Sequence, residues 1–171
     1  MTHSAYIALG SNVASRWGTP VKTVRRAAED LKKLGDVERI SSLYITEPVG
    51  NTEQPVFVNA VLLLETSLTA EELLTRLLAL ELDFGRDRLT ATPKGPRTLD
   101  LDLLFYDDVV LASPQLNLPH PELARRRFVL QPLAEIAPTL VHPILGVTIK
   151  KLLEDLPDAG PNRIDAVRRV A

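Results

Sequence analysis

From Leu99 to Leu103 the chain alternates without a break: leucine, aspartate, leucine, aspartate, leucine. A period of two marks a β-strand with two unlike faces. On such a strand the Asp100 and Asp102 carboxylates leave from one face, their Cα atoms roughly 6.5–7 Å apart, and the leucines enter a core from the other. Two like charges side by side on a sheet are destabilising. The fold therefore either leaves the pair in solvent at an edge or sets a cation against it, and spacing alone does not choose. Carboxylate oxygens are hard ligands that suit Mg²⁺, which usually takes one or two carboxylates together with substrate phosphates.

The neighbourhood of the pair favours the cation. Arg86 and Arg88 follow Gly85, a breaker-rich loop spans 89–96, and Arg97 precedes the strand. Downstream come Pro119-His120-Pro121 and Arg125-Arg126-Arg127-Phe128. Arginines around a metal-binding carboxylate pair suit a nucleoside triphosphate: Mg²⁺ bridges phosphate oxygens and guanidinium forks neutralise the rest. The whole chain carries a net charge of −2, so no global basic field recruits nucleic acid and any anion must be held by this local cluster. The absence of cysteine excludes disulfides, thiol nucleophiles and thiolate metal sites. No apolar run approaches the ~20 residues of a membrane span, and the first residues do not read as an export signal. The expected setting is the cytoplasm, with no membrane partner.

The rest of the chain predicts an α+β domain. Ala5, Ile7 and Leu9 lie in a short apolar run stopped by Gly10-Ser11-Asn12, a strand and a turn. Thr19-Pro20 opens a helix with Val21, Val24, Ala28, Leu31 and Leu34 on one face, and Gly35 closes it. A strand over 37–45 runs into the Pro- and Gly-containing loop 46–53, and a second strand spans 56–65. Thr69 and Glu72 form a capping box for a helix with Leu73, Leu74, Leu77, Leu80 and Phe84 on its apolar side. The order βαββαβ is that of a ferredoxin-like antiparallel sheet with helices on one face. Short helices are expected over 121–124, 129–137 and 149–156, and the polar tail 158–171, with its Gly160-Pro161, as a flexible end of a single 171-residue domain. Trp17 and His142 read as packing residues, and His3 has no assigned role.

Within the 56–65 strand, Val56, Val58, Ala60, Leu62 and Leu64 form a wholly apolar face. The other face holds Asn59 among Phe57, Val61 and Leu63. A buried amide without partners costs about 1–3 kcal/mol, so Asn59 needs them. Either nearby backbone supplies them or a planar heterocycle does, stacked on Phe57. Arg86 and Arg88 carry a similar pair of readings. They either complement the negative end of the preceding helix or hold phosphates.

Gly-Pro-Arg-Thr-Leu-Asp-Leu-Asp at 95–102 resembles the signature of the 6-hydroxymethyl-7,8-dihydropterin pyrophosphokinases. Tyr6-Ile7-Ala8-Leu9-Gly10-Ser11-Asn12 is similar to that family's first strand and turn, and Gln54-Pro55-Val56-Phe57-Val58-Asn59-Ala60 to its pterin-binding strand. Pro119-His120-Pro121 and Arg126-Arg127-Phe128 are similar to its closing segment. The matches run in family order from about residue 4 to residue 155. The resemblance implies a ferredoxin-like βαββαβ core with further C-terminal helices. It implies transfer of the diphosphate of ATP to the pterin hydroxymethyl group, releasing AMP, in folate biosynthesis. It implies two Mg²⁺ ions on Asp100 and Asp102, and catalytic roles for Arg86, Arg97 and both aspartates. Arg86, Arg88, Arg97, His120 and Arg126 would grip ATP, and Lys94, where this chain departs from the family, is expected to join them. Thr46, Pro48, Phe57, Asn59 and Phe128 would hold the pterin.

The chain also departs from the family pattern. Lys94 stands where many members carry tryptophan, and the 89–96 loop is one residue longer than in a familiar member. Gln115 replaces a phosphate-binding arginine of some members, and Phe57 a tyrosine. The loop is expected to close over ATP, with a lysine-to-phosphate contact in place of a ring. The alternatives are weaker. A glycosidase needs carboxyls on opposite sides of a bond, and a non-catalytic ferredoxin-like ligand-binding module leaves the carboxylates among arginines unexplained. A monomer is expected.

Overall fold

The computed structural model describes residues 1–50, 52–89 and 92–170. Asn51 of the 46–53 loop, Thr90 and Ala91 of the expected lid, and Ala171 of the tail lie outside the described residues. Both long helices begin as their sequences dictate. In α1 (Pro20–Leu31) the Thr19 hydroxyl accepts the Lys22 N–H, and proline occupies the first turn, where a missing N–H costs nothing. In α2 (Ala70–Asp83) Thr69 and Glu72 cap each other, with bonds of 3.1 and 2.8 Å.

The strands are β1 (His3–Ser11), β2 (Asp36–Ile40), β3 (Tyr44–Thr46), β4 (Phe57–Thr66) and β5 (Asp100–Tyr106), with a small ribbon of β6 (Leu111–Ala112) and β7 (Asn117–Leu118). α3 (Arg127–Ile136), α4 (Ile149–Asp155) and β8 (Val167–Arg169) follow. The main sheet is antiparallel in the order β5-β1-β4-β3-β8, with β2 also on β4. Because β1 is flanked by β4 and β5, each residue from Ala5 to Gly10 meets a partner on both sides.

Helices cover both sheet faces, not one. Ile7, Leu9, Leu62, Leu64, Leu101 and Leu103 pack under α1 and α2 with Val24, Leu31, Leu73 and Leu77. Val61, Leu104 and Phe105 pack under α3 and α4 with Leu130, Leu133 and Ile149. The second face is apolar only in part. Toward one end it carries Asn59, Asp100 and Asp102, and there the helical cover gives way to a cleft.

The pattern predicts one strand over 37–45; the structure divides it. Ile40 pairs with Leu62, yet Tyr44 pairs with Asn59, so four steps on one strand oppose three on the other. The extra residue is a bulge, stitched by Ser41, whose N–H reaches the Val61 carbonyl and whose hydroxyl accepts the Val61 N–H. A one-residue shift turns all following side chains over. Tyr44 and Thr46 therefore share the face of Asn59.

The tail also departs from expectation. Past α4 the chain makes 3₁₀ turns at Gly160–Asn162 and Ile164–Ala166, then lays β8 along β3, with Val167 opposite Thr46 and Arg169 opposite Tyr44. β3 offers an open edge, and Ala166 and Val167 bury their side chains against it. No helix among the described residues is long and apolar enough to cross a membrane.

Candidate active site

The floor of the cleft is set by two small residues of β1. Ala8 lies opposite Val61 on one side and Asp102 on the other; Gly10 lies between Asn59 and Asp100. A Cβ at Gly10 would stand 2.7 Å from Asn59 Oδ1, which explains the glycine. The space above is a cavity of about 190 Å³.

One end is charged. Asp100 Oδ1 accepts from Arg86 Nη1 at 3.0 Å and Arg88 Nη2 at 3.2 Å, and Oδ2 accepts from Arg97 Nη1 at 3.1 Å. Arg88 is itself gripped by Glu81 of α2, through Nε and Nη2, both at 2.7 Å. Glu81 is buried and also accepts the Leu101 N–H at 2.7 Å, which ties helix, arginine and aspartate strand together. Burial in the cleft floor and the adjacent Asp100 charge push the Asp102 carboxyl up to about 7, against the pull of Arg88. A carboxylate pair in that condition favours a cation. Among the described residues no cluster of three or more His, Cys, Asp or Glu holds a metal alone. A cation here would take its remaining oxygens from phosphate and water, which fits Mg²⁺.

His120 enters from the segment after β7. Burial and the Arg126 charge hold its pKa below the ordinary histidine value, so the ring is neutral at pH 7. Its Nδ1 accepts the Glu122 N–H at 3.2 Å, which leaves Nε2–H as the donor. Arg126 stands over the Phe128 ring, 5.6 Å from its centroid, and no carboxylate pairs with it among the described residues.

The other end is aromatic and amide-lined. Asn59 Nδ2 donates to the buried Thr46 hydroxyl at 2.6 Å, which orients the amide. Phe57 and Phe128 both line the cavity, and Arg97 lies 5.1 Å from the Phe57 centroid, joining the two ends. Arg97 is fixed through its backbone: its N–H reaches Asn12 Oδ1 at 2.8 Å, and its carbonyl accepts the Asn12 N–H at 3.1 Å. Asn12 also donates to Gln54, which donates to the Lys94 carbonyl at 2.8 Å, so the segments on either side of the entrance are joined.

Of the residues singled out in the sequence, Thr46, Phe57, Asn59, Arg86, Arg88, Lys94, Arg97, Asp100, Asp102, His120, Arg126 and Phe128 all line this cavity. Pro48 does not; it is half-buried, and its neighbours Glu47 and Val49 face the space instead. Sequence reasoning missed Ala8 and Gly10, whose signal is two small residues spaced by two on a strand. It also missed Glu81, an acid on the flank of a leucine-rich helix. His142 is buried against Phe105, and its Nδ1 accepts the Ile144 and Leu145 N–H groups, a structural role.

An α+β sheet with helices on both faces, carrying a carboxylate pair ringed by arginines at one end of a partly aromatic cleft, sets the class of protein. The chain belongs to the 7,8-dihydro-6-hydroxymethylpterin-pyrophosphokinase (HPPK) family, whose model matches residues 6–138. It is 44% identical over 156 residues to a 2-amino-4-hydroxy-6-hydroxymethyldihydropteridine pyrophosphokinase of Synechocystis, covering 90% of this chain and 76% of that one. It is 40% identical over 166 residues to the Pseudomonas aeruginosa protein of the same name, covering 96% of this chain and 98% of the other. The fold matches the Plasmodium falciparum HPPK-DHPS, in a triple-mutant crystal structure, with a TM-score of 0.76 at 15% identity, over 99% of this chain and 47% of that one. The chain therefore spans about half of that longer protein.

Proposed function

We propose that the cleft transfers the diphosphate of ATP to the hydroxymethyl oxygen of 6-hydroxymethyl-7,8-dihydropterin, giving AMP and the pterin diphosphate. The chain is an ATP-dependent pyrophosphokinase of folate biosynthesis, and the proposal assigns its residues. The observation that carries the assignment is the joining of two unlike ends in one cavity: Asp100 and Asp102 among arginines, and Asn59 with Phe57 and Phe128.

The pterin ring stacks between Phe57 and Phe128. Thr46 occupies the Asn59 amide nitrogen, so Asn59 Oδ1 is left to accept an N–H from the ring edge. The hydroxymethyl group then faces the aspartates. Asp100 and Asp102 would hold two Mg²⁺ ions, which supply neutralisation of the triphosphate and polarisation of its oxygens. Arg86, Arg88 and Arg97 exchange their contacts with Asp100 for phosphate oxygens, Arg88 staying on Glu81, and Arg126 joins them; their planar guanidinium groups fix the chain for in-line attack. The neutral His120 ring donates from Nε2. The pterin hydroxyl oxygen attacks the β-phosphorus and its proton passes to water, the bond from that phosphorus to the oxygen bridging the α-phosphate breaks, and AMP leaves with the electron pair of that bond. Lys94 and the 92–96 segment lie at the entrance and exclude water on closure.

The cleft is built from one chain, which supports a monomer as the working unit, and the demand for ATP supports a cytoplasmic setting. The test is nucleotide analysis with Mg·ATP, with and without the pterin, alongside Asp102→Ala. Pterin-dependent AMP that disappears in the variant is the expected result. ADP as product would overturn diphosphate transfer.

A further inference from the structure

We infer that Asn162 is a positioning residue for Arg126, so that the C-terminal segment serves the phosphate end of the cleft. The inference rests on the proposed reading of Arg126 as a phosphate ligand.

Arg126 is an awkward place to build a rigid side chain. It is the extended link between the 3₁₀ turn Leu123–Arg125 and α3, with φ −125° and ψ 109°. No side chain of its own caps α3, and a cation at a helix N-terminus opposes the helix dipole. Two backbone groups beside it, the Arg125 carbonyl and the Arg127 N–H, need partners at such a junction.

Asn162 supplies both with one amide. Its Oδ1 accepts the Arg127 N–H at 3.0 Å, and its Nδ2 donates to the Arg125 carbonyl at 2.8 Å. Its own carbonyl accepts from Arg127 Nε at 2.7 Å, and Arg127 is buried, with Nη2 reaching the Leu156 carbonyl. The residues on both sides of Arg126 are thus held from 35 and 37 positions away, and the one side chain of the three left unclamped points into the cleft beside His120 and Phe128.

The holder is itself anchored on the opposite wall. Arg163 Nη2 donates to Glu47, a residue of the cavity lining, at 2.9 Å, and the Glu47 N–H reaches the Ala166 carbonyl at 3.1 Å. β8 then pairs with β3 through Thr46, the partner of Asn59. One segment of chain therefore spans from the Arg126 junction to the strand that orients Asn59.

The test is calorimetric binding of the Mg²⁺ complex of α,β-methylene-ATP to the full chain, its Asn162→Ala and Arg126→Ala variants, and the double variant, with melting curves for each. Asn162→Ala is expected to weaken binding about 5- to 20-fold, and the double variant to bind no more weakly than Arg126→Ala, because residues acting as one unit are not additive. A purely structural Asn162 would instead multiply the two losses, and that result, or wild-type affinity in Asn162→Ala, overturns the inference. Wild-type affinity in Arg126→Ala would overturn the reading of Arg126, a failure separable from the other two. If Asn162→Ala does not fold, Asn162→Asp keeps the acceptor for Arg127 N–H and loses the donor to Arg125. It is expected to bind with intermediate affinity, and undiminished affinity there counts against the inference.

Discussion

The Glu81 carboxylate takes the Nε–Nη2 edge of the Arg88 guanidinium, at 2.7 Å on each oxygen, from inside the core. Arg88 is thereby presented to Asp100 as a fixed fork and not as a freely rotating chain. A bidentate charge-assisted pair of this kind adds geometry as well as energy. Glu81→Gln keeps the size but withdraws one acceptor and the charge. It is expected to lower kcat/KM by roughly 10- to 100-fold, in line with losses seen when a supporting partner is removed, and to weaken ATP more than pterin. Equal weakening of the two substrates would mean that Glu81 acts on the whole sheet and not through Arg88.

Gly10 is small because Asn59 needs its space. A methyl group there would lie 2.7 Å from Asn59 Oδ1, so Gly10→Ala drives the amide off its bond to Thr46. Overpacking of this sort typically costs about 1–3 kcal/mol. The pterin KM is expected to rise about tenfold while ATP affinity in the binary complex stays near wild type. Unchanged pterin KM would show that Asn59 does not read the ring.

What was legible in the sequence was local. Thr19-Pro20 and the Thr69–Glu72 box name their helices because caps act within one turn. The Leu-Asp alternation names its strand because a pleat repeats every two residues. What was not legible depends on partners far along the chain. The extra residue between Ile40 and Tyr44 is invisible in a run that reads as one strand, yet it decides that Thr46 meets Asn59. Val167 to Arg169 reads as a polar tail until β3 offers it an edge. Glu81 reads as a solvated helix residue until Arg88, seven positions on, and Leu101, twenty on, close over it.

Asp102 makes the ligand-free protein sensitive to pH in a direction opposite to most carboxylates. Its folded pKa is raised, to about 7, above the unfolded value. Between roughly pH 4 and pH 7 the folded state therefore binds more protons than the unfolded one, and stability falls as pH rises through that window. The half-buried His120 and the buried His142 act the other way, since both are held below the ordinary histidine value. Comparing melting temperatures of Asp102→Asn with wild type cancels the histidines. The variant's advantage should grow by about 3 °C or more from pH 5 to pH 8. A difference that stays constant across that range would contradict the raised value.

Asp100 accepts from three arginines, so a cation approaching alone must displace guanidinium groups that have nowhere better to go. A triphosphate gives them new partners and frees the carboxylate. Mn²⁺, followed by its electron paramagnetic resonance signal, should bind the free protein weakly and at least about tenfold more tightly with α,β-methylene-ATP present, the coupling of two ligands through shared groups. Tight Mn²⁺ binding without nucleotide would show that the arginines do not guard the carboxylates.

Lys94 lines the entrance with its backbone in the left-handed region, φ 55°, an uncommon conformation for a residue with a side chain. Its carbonyl is fixed by Gln54 at 2.8 Å, and its stem lies against Gly50, where a methyl group would come within 2.9 Å of Lys94 Cδ. The backbone anchor and the stem leave the ammonium as the mobile part, a compact charge on a four-carbon arm. Two contributions can then be separated. Lys94→Ala removes charge and stem together, Lys94→Met keeps the stem, and Lys94→Gly relieves the backbone. If the ammonium meets a phosphate on closure, Lys94→Ala and Lys94→Met both raise the ATP KM by about 5- to 20-fold, the scale of one charge-assisted hydrogen bond, and high salt narrows the gap to wild type. If the residue only shapes the loop, Lys94→Gly retains or improves thermal stability and all three variants turn over at the wild-type rate. That second pattern would remove the lysine-to-phosphate contact from the account of how this entrance closes.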